Sequence, residues 1–332
     1  MNTIQLKEVY IVSAVRTPIA SFRSTLTPLS AVDLGVVVTK EAIARSCIPK
    51  SAQCLTINKV CSSSMKAIML GAQQIQLGQR QVVMATGTES MSNVPFYIPR
   101  GEIPYGGIQL TDGVQKDGLT DSLENEAMGL CAEKTVKEYG FTREQLDTYA
   151  IESYQRADRA WQEGLFNAEV VAVSVPQKRG AQSVVLSRDE EFKRLIASKV
   201  PALKPVFQKD GTGTITAANA SSINDGASAC LLVGEDLVKS KNLKPIAKII
   251  AYAEAGLDPV DFTKAPSLAV HELLKKSGVR KDSIKQWEIN EAFAVTALAF
   301  IEELQLDPKQ VNVKGGAVAL GHPLGSVVSL FF

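Results

Sequence analysis

The chain has 332 residues, 45% of them hydrophobic, and a net charge of +1. This length allows roughly two or three domains with a sizeable core. The balanced charge excludes a global field that would attract nucleic acid or a membrane surface, and no apolar run in the sequence is long enough to span a bilayer.

The amino end and the cysteines give expectations about targeting segments, the redox compartment and zinc binding. Residues 1–8 run directly into a strand-like segment and resemble neither a signal peptide nor an Arg-rich transit segment. The five cysteines are odd in number and widely spread, which favours free thiols in a reducing compartment over a disulfide framework. No Cys/His cluster has zinc spacing, and the sequence holds only two histidines, His271 and His322.

The first part of the chain alternates strand and helix patterns. Val9 to Val15 predicts a buried strand and Leu34 to Ala44 a helix. The apolar run from Cys54 to Ile57 predicts a second buried strand, Met65 to Ile75 a second helix, and Gln81 to Thr86 a third strand. The alternation indicates an α/β fold.

One join in this alternation is abrupt. The first helix closes near Pro49, and from Ser51 the sequence leads almost at once into the strand before Cys61. An α/β chain is expected to place another strand and helix between them.

Cys61 falls at a predicted strand-to-helix junction. Free N–H groups and the positive end of the helix dipole favour a thiolate there, and Lys59 and Lys66 adjoin it. A lone cysteine is more commonly a small buried hydrophobe. The junction, with its Ser-rich turn, favours a nucleophile.

From about Asn93 to Gly213 the pattern changes. Proline and glycine break the first part, and amphipathic helices follow at Cys131 to Tyr139 and Arg143 to Gln162. We interpret this part as a large insertion over the core, which binds substrate or serves as a structural cover. Its basic run at 192–199 is, on charge alone, a solvated face.

The second part of the chain repeats the alternation. A small, polar stretch at 214–222 precedes a strand at Ala229 to Val233. A fresh half starts near Pro245 and hints at an internal duplication. Its predicted elements are a strand at Ile246 to Ala253, a helix at Ala265 to Lys276, a strand at Gln286 to Ile289 and a helix at Ala292 to Leu304.

Two further residues could act with Cys61. His322 lies between Gly321 and Pro323, a turn that would hold an imidazole in one direction, and Cys with His forms an activated nucleophile pair. Asn290 follows a predicted strand, so its amide could orient a water or an oxyanion. A capping Asn and a satisfied loop His are the structural alternatives, but ligands in α/β folds bind where strands end.

The motifs around these residues resemble the thiolase family over nearly the whole chain. Residues 57–63 (INKVCSS) resemble the family's nucleophile motif, residues 287–293 (WEINEAF) its NEAF block and residues 312–323 its GGA…GHP block. The segments 104–107 and 116–121 resemble the mitochondrial-type acetyl-CoA acetyltransferases of that family in particular.

The resemblance implies a five-layered αβαβα fold with two βαβαβαββ halves and a loop domain, both halves being incomplete in this chain. The N-terminal half would comprise residues 1–92 and 222–242, the CoA-binding loop domain 93–221, and the C-terminal half 243–332. The implied reaction is the reversible condensation of two acetyl-CoA to acetoacetyl-CoA and CoA, in a homodimer or homotetramer without nucleic-acid or membrane partners and without a redox cofactor.

The resemblance also implies site roles. Cys61 would carry the acetyl group, His322 would activate its thiolate and help form an oxyanion hole, and Asn290 would hold a water completing that hole. The implied coenzyme A contacts are Tyr154, Arg194, Lys199, Ser221 and Met128. The implied potassium site is Tyr154, Ala217, Ala218 and Ala220. The resemblance thus gives the basic run a function, because CoA carries phosphates that basic side chains can bind.

The chain departs from the family pattern at four places. No second active-site cysteine, the family's base for the α-proton, follows the GHP block. Only 44 residues lie between Arg16 and Cys61, about thirty fewer than the family places there, roughly one strand-helix unit. Ala127 stands where the family has His, and Ile196 replaces an Asp. We therefore expect a truncated thiolase whose activity is impaired.

Three rival interpretations remain. The chain could be a non-catalytic CoA-binding protein that pairs with a full-length thiolase, or a product that does not fold. A β-ketoacyl synthase would need a second catalytic histidine, and His271, inside a helical stretch, is a poor one. The resemblance implies a mitochondrial location and the missing presequence a cytoplasmic one.

Overall fold

The computed structural model describes residues 6–44, 52–178 and 181–326. The abrupt join at Pro49 to Ser51, Cys47 and the apolar tail after Ser326 lie outside the described residues. The strands are β1 (Val9–Arg16), β2 (Ala20–Ser21), β3 (Val82–Ser90), β4 (Phe96–Tyr97), β5 (Thr111–Asp112), β6 (Val173–Val175), β7 (Val184–Leu186), β8 (Asn224–Gly234) and β9 (Ala247–Ile249). The helices are α1 (Ala31–Ala44), α2 (Ser63–Gln76), α3 (Gly113–Gly118), α4 (Met128–Tyr139), α5 (Arg143–Gln162), α6 (Glu235–Ser240), α7 (Ala265–Ser277), α8 (Ala294–Leu304) and α9 (Ala317–Leu320).

The main sheet is built around β8, whose eleven residues are all buried. β8 pairs antiparallel with β1, with β3 and, at its first two residues, with β2, while β9 pairs with β1. Cys230, near the middle of β8, lies opposite Ala14 of β1 and Ala85 of β3. A strand buried along its whole length and flanked on both sides forms a rigid platform, and its first residue lies near the site described below.

Helices α1 and α2 cover opposite faces of this sheet. Buried residues of α1 recur at a spacing of four, as Leu34, Val38 and Ala42, and pack in one cluster with Ala227 and Ala229 of β8. The buried face of α2 packs in another cluster with Cys230 and Leu232. Because successive strand residues point to opposite faces, the two clusters lie on the two sides of β8.

A second core lies among the later helices. It brings together α4, α5 and α8 with the segment around Trp287 and Ile289, and it is completed by Val311. The long helix α5 begins with a capping box in which Thr142 and Gln145 satisfy each other's backbone N–H groups. The predicted helices that became α1, α2, α4, α5 and α7 are confirmed, and α8 begins at Ala294 rather than Ala292.

Three predicted strands are wrong in whole or in part. Cys54 to Ile57 forms no strand, and Leu55 is 79% exposed. The strand predicted at Ile246 to Ala253 is limited to β9, and Gln286 to Ile289 contributes only a bridge between Trp287 and Val311. A strand exists only where a neighbour completes its ladder: within the described residues Cys54 to Ile57 has no partner strand, and only Ala247–Ile249 of the second segment pairs with β1.

Across the described ranges, every helix is too short or too polar to cross a lipid bilayer. The part of residues 243–326 that the structure describes contains α7, α8 and α9 but no sheet of its own, since β9 joins the main sheet. The chain that follows the last of these helices lies beside the start of β8.

Candidate active site

Cys61 lies in a strained turn that leads into α2. The preceding residue, Val60, has a φ of 45°, a left-handed conformation that is rare for a β-branched side chain and costs about 1–3 kcal/mol. Three hydrogen bonds hold the turn: Val60 N–H donates to Asn58 Oδ1 (2.9 Å), Lys59 N–H to Ser63 Oγ (2.8 Å), and Ser63 Oγ–H to the Val60 carbonyl (2.7 Å). The turn therefore has a single geometry, which directs the Cys61 side chain to the buried cluster formed by Met91, Val114 and Leu324.

His322 meets Cys61 from the opposite end of the sequence. Its Nε2 lies 3.1 Å from Cys61 Sγ, and the residue is 4% exposed. The backbone of His322 is fixed against β8, because its N–H donates to Asn224 Oδ1 (2.9 Å) and to the Ser222 carbonyl (3.2 Å). Gly321 has a φ of 105° and packs so closely on Asn224 that a Cβ would lie 2.5 Å from that side chain. These contacts are a physical reason why the turn from Gly321 to Pro323 would hold the imidazole in one direction.

Both members of this pair are neutral at neutral pH. Burial, with a smaller contribution from the charge of Glu89, raises the pKa of the Cys61 thiol to about 12. Burial also lowers the pKa of His322 to about 4. The resting pair is thus a thiol beside an imidazole whose Nε2 can accept the thiol proton.

The expectation that Lys59 and Lys66 stabilise a Cys61 thiolate is wrong for this arrangement. Both ammonium groups bind Glu254, with a Lys66 Nζ to Glu254 Oε2 distance of 2.5 Å. These hydrogen bonds lower the pKa of Glu254 to about 2. The lysines therefore tie the Cys61 turn to the segment around Glu254, and burial outweighs the helix N-terminus at the sulfur.

Asn290 has an unpaired polar atom in a buried position. Its Oδ1 has no hydrogen-bond partner within the described protein, and the same holds for Nδ1 of His322. Buried polar atoms without partners are uncommon and typically bind water or a ligand. The Asn290 acceptor suits a water molecule, and its role in an oxyanion hole stays a prediction.

Glu291, the neighbour of Asn290, organises the site and was missed by the motif reasoning. Its fully buried carboxylate accepts hydrogen bonds from Tyr149 Oη (2.8 Å) and Ser153 Oγ (2.8 Å) of α5. It also accepts from Asn312 Nδ2 (2.8 Å) and from the Val318 N–H of α9 (3.1 Å). The available signal was a carboxylate placed directly between a predicted strand and a predicted helix, because a carboxylate that becomes buried there needs several donors.

Four of the candidate CoA residues lie on four different segments. Arg194 is 64% exposed in its side chain and pairs with Glu191, and Lys199 is exposed on the following 3-10 turn. Burial and the charge of Glu191 raise the pKa of Tyr154, on α5, to about 12. Ser221 Oγ–H donates to the Ala292 carbonyl (2.9 Å), next to the Asn290–Glu291 pair.

Three further positions from the sequence analysis border α4 and the basic run. Met128 starts α4 and packs on the second core, and Ala127 precedes it as a helix cap without a side-chain hydrogen bond. Ile196 is 53% exposed, two residues from Arg194. The described geometry does not join these positions to Cys61 by a direct contact.

The candidate potassium residues combine a phenol with a tight turn. The Ala220 N–H donates to the Thr216 carbonyl (3.0 Å), and the buried Asn219 accepts from Thr216 N–H (2.8 Å), which fixes the backbone around Ala217 and Ala218. These residues could offer a neutral phenol and main-chain carbonyl oxygens to a cation, and the potassium site stays a prediction. Among described residues, no group of three or more His, Cys, Asp or Glu side chains is arranged to bind a metal.

The sequence is similar to two domain families. The family described as "Thiolase, N-terminal domain" matches residues 43–236, and "Thiolase, C-terminal domain" matches residues 243–329. "Acetyl-CoA acetyltransferase, mitochondrial" of Bos taurus is 47% identical over 352 aligned positions, covering 96% of this chain and 83% of that protein. The Homo sapiens protein of the same name is 46% identical, with 96% and 82% covered.

Solved structures are similar in fold as well as in sequence. The Acat5 thiolase of Ascaris suum in complex with coenzyme A has a TM-score of 0.93 and 63% identity, covering 97% of this chain and 91% of that one. The Bacillus anthracis acetyl-CoA acetyltransferase has a TM-score of 0.94 and 34% identity, covering 98% and 91%. The α/β thiolase-like fold predicted from the sequence is confirmed.

Proposed function

The chain belongs to the thiolase family and is an acyltransferase, and we propose that it moves an acetyl group from acetyl-CoA to the sulfur of Cys61. This transfer would be the first half of the reversible condensation of two acetyl-CoA to acetoacetyl-CoA and CoA. The observation that carries the proposal is the 3.1 Å contact between Cys61 Sγ and His322 Nε2. The names of the similar proteins, which are acetyl-CoA acetyltransferases, support the choice of acyl group.

The neutral resting pair suggests how the transfer proceeds. As Cys61 Sγ attacks the thioester carbonyl, Nε2 of His322 accepts the thiol proton, so no free thiolate needs to exist beforehand. The tetrahedral intermediate then breaks its bond to the CoA sulfur, which takes the proton from His322 and leaves as CoA. The net change is acetyl-CoA plus the thiol to acetyl-Cys61 plus CoA.

Asn290 would stabilise the negative oxygen of that intermediate through water. A water that donates one hydrogen to the unpaired Asn290 Oδ1 can direct its other hydrogen at the oxyanion. Such preorganised donors typically contribute about 10²–10³ in rate. The deep burial of the neighbouring Glu291 keeps this segment fixed during the reaction.

Condensation needs a further group, a base that removes the α-proton of the second acetyl-CoA. Among the described cysteines, Cys54 is exposed, and Cys131 and Cys230 are buried in other parts of the fold. Neither their positions nor their burial suits that base. We therefore expect a polypeptide of this sequence to form acetyl-Cys61 while its condensation activity is impaired.

Incubation with isotopically labelled acetyl-CoA followed by mass analysis of the Cys61 peptide tests the proposal. We expect a labelled acetyl group on Cys61, none in a Cys61→Ser variant, and normal labelling in a Cys54→Ser control, whose thiol is exposed and makes no contact with His322. Formation of acetoacetyl-CoA at ordinary thiolase rates would contradict the impaired second step. CoA binding without any labelling would instead favour the non-catalytic CoA-binding alternative.

Within this proposal, the loop domain at 93–221 recognises coenzyme A. In sequence it separates the two parts of the N-terminal half, 1–92 and 222–242, and the C-terminal half follows at 243–332. The exposed guanidinium of Arg194 and the ammonium of Lys199 are available for phosphate oxygens. Ser221, Tyr154 and Met128 would contact the rest of the cofactor arm. The Ascaris suum thiolase, whose structure contains coenzyme A, supports this ligand class.

A potassium ion held by Tyr154 and the carbonyls of Ala217, Ala218 and Ala220 is part of the proposal. The raised pKa of Tyr154 keeps the phenol neutral, so the site would offer uncharged oxygen donors. The bound ion would stiffen the 217–220 turn beside Ser221. A higher melting temperature in KCl than in NaCl supports this site, and equal values oppose it.

We propose a homodimer or homotetramer, able also to pair with a full-length thiolase, and a mitochondrial location with a cytoplasmic one as the alternative. The names of similar proteins from several vertebrates include the word mitochondrial, which supports the location. Light scattering of the purified protein and imaging of a carboxyl-terminally tagged chain address the two points separately.

A further inference from the structure

Glu89 lies where three parts of the site meet, and the mechanism above does not use it. It is near the end of β3, opposite Gly226 of β8. Gly87, two residues earlier, permits the crowding: a Cβ there would lie 2.4 Å from the Gly325 carbonyl and 2.7 Å from Cβ of Ser64 on α2. Strand β3, the start of the Cys61 helix and the turn after His322 therefore pack directly on one another.

The turn at 323–326 connects Glu89 to His322. Glu89 Oε2 accepts a hydrogen bond from Gly325 N–H (3.0 Å), and Ser326 N–H closes the turn on the Pro323 carbonyl (2.9 Å). Pro323 packs on Gly226, where an added Cβ would meet the proline ring at 3.1 Å. The turn is thus held over the β3–β8 pair on one side by packing and on the other by the carboxylate.

His322 and the turn that follows it contact Cys61 or its surroundings at two places. His322 touches the sulfur, and Leu324 packs in the cluster that also includes Cys61. The short stretch 322–325 therefore makes three contacts. It touches the Cys61 sulfur, packs in the cluster around Cys61 and donates a hydrogen bond to Glu89. A displacement of Gly325 would move His322 relative to the sulfur.

We propose that Glu89 is a positioning residue for the nucleophile: its carboxylate anchors the turn that carries His322 and, while ionised, opposes a free Cys61 thiolate, so that the thiol gives up its proton only to His322. This inference rests on the proposed role of Cys61. Two negative charges that lie close together in a low-dielectric site destabilise each other. The charge of Glu89 thus protects the sulfur from adventitious electrophiles.

The charged surroundings agree with this role. Burial raises the pKa of Glu89, the Gly325 hydrogen bond opposes that shift, and the charge of Asp225 on β8 adds to it. Burial likewise raises the pKa of Asp225. Lys59 and Lys66 are bound to Glu254 instead. Glu89 therefore ionises at a higher pH than an ordinary glutamate, which brings its titration into an accessible range.

Alkylation of Cys61 tests this inference without acetyl-CoA, so its failure and the failure of acetyl transfer are distinguishable. Glu89→Gln keeps an acceptor for Gly325 but removes the charge. At about pH 8 we expect Cys61 of this variant to react roughly threefold faster than wild type, equivalent to about half a unit of pKa. The ratio should fall to one as the pH drops below the pKa of Glu89, because the wild-type carboxyl is then neutral too.

Two controls separate the charge from a general disturbance. The exposed Cys54 serves as an internal standard whose reaction rate should not change. Asp307→Asn removes a carboxylate that also accepts a backbone N–H, from Lys309, and should leave Cys61 unaffected. Glu89→Ala removes anchor and charge together, so we expect faster alkylation of Cys61 but slower acetylation.

A measurement on the wild-type protein keeps the inference testable if the variants do not fold. The logarithm of the Cys61 alkylation rate should rise with pH at unit slope, rise less steeply near the pKa of Glu89, and then return to unit slope. A uniform slope through this range, or equal rates for wild type and Glu89→Gln at all pH values, would overturn the inference.

Discussion

At the scale of single residues, burial determines the chemistry of the nucleophile. The Cys61 thiol and the His322 imidazole lie 3.1 Å apart, and both are neutral because His322 is buried and Cys61 packs against a buried apolar cluster. A lone solvent-exposed thiolate would react with many electrophiles. The neutral pair reacts instead when an electrophile is positioned and His322 can take the proton.

The buried neutral His322 makes stability depend on pH. Its pKa is lowered from about 6.5 to about 4 in the folded chain, so between these values the unfolded chain binds a proton that the folded chain does not. Stability from this group is complete above pH 6.5 and is lost as the pH falls towards 4. From pH 7 to pH 5, wild type should lose about 2 kcal/mol of unfolding free energy through this group.

Chemical denaturation of wild type, His322→Gln and His271→Gln at the two pH values checks this prediction. His271 is exposed and serves as the matched control. We expect His271→Gln to lose as much stability as wild type between pH 7 and pH 5, and His322→Gln to lose clearly less. Equal losses in all three proteins would contradict the assigned neutral state.

Local residue types were enough to predict Cys61 and His322 but not their protonation. Both lie in turns with distinctive neighbours, Ser after the cysteine and Gly and Pro around the histidine. The expectation of a thiolate failed first because burial raises the pKa of the Cys61 thiol, and second because Lys59 and Lys66 bind Glu254, nearly two hundred residues away in sequence. Glu89 and Glu291 were missed for the same reason: their partners become visible only in the folded chain.

At the scale of elements, the helices could be predicted from periodicity, whereas some strands could not. Helices such as α5 close their hydrogen bonds internally, so local pattern and caps are sufficient. The run from Cys54 to Ile57 has a strand-like composition, yet a strand also needs a neighbour. Within the described residues, β3 pairs only with β8, and the 54–57 segment remains exposed.

The contact between Gly316 and Glu291 makes the start of α9 sensitive to a single methyl group. A Cβ at Gly316 would lie 2.4 Å from Glu291 Cδ, and the buried carboxylate cannot move without losing its donors. We expect Gly316→Ala to destabilise the protein by about 1–3 kcal/mol. The disturbed α9 should also slow acetylation of Cys61.

Gly35→Ala is the matched control for this prediction. Gly35 lies within α1, and an added Cβ there would make ordinary contacts of 3.6–3.8 Å with Thr88. We expect it to be neutral or to stabilise by up to about 1 kcal/mol, because alanine favours a helix interior. Thermal unfolding of both variants decides the point, and equal melting temperatures would argue against the close contact.

At the scale of the whole molecule, the site forms only when distant parts of the chain pack together. Cys61 precedes the helix on one face of the main sheet, and His322 arrives through α9 from the second core. Glu291 links α5 to α9, and Asn224 receives His322 at the start of β8. The active site therefore forms only when these distant parts of the described chain have folded and packed together.

Isotope exchange between unlabelled acetyl-CoA and labelled CoA reports whether the Cys61–His322 pair forms a reversible acetyl-enzyme, as we propose. Exchange requires the first half-reaction in both directions and no α-proton abstraction. We expect label in acetyl-CoA with wild type and Cys54→Ser, none with Cys61→Ser, and a rate about 10²–10⁴ lower with His322→Gln. Absence of exchange in a folded wild-type protein, or undiminished exchange in Cys61→Ser, would contradict this proposal.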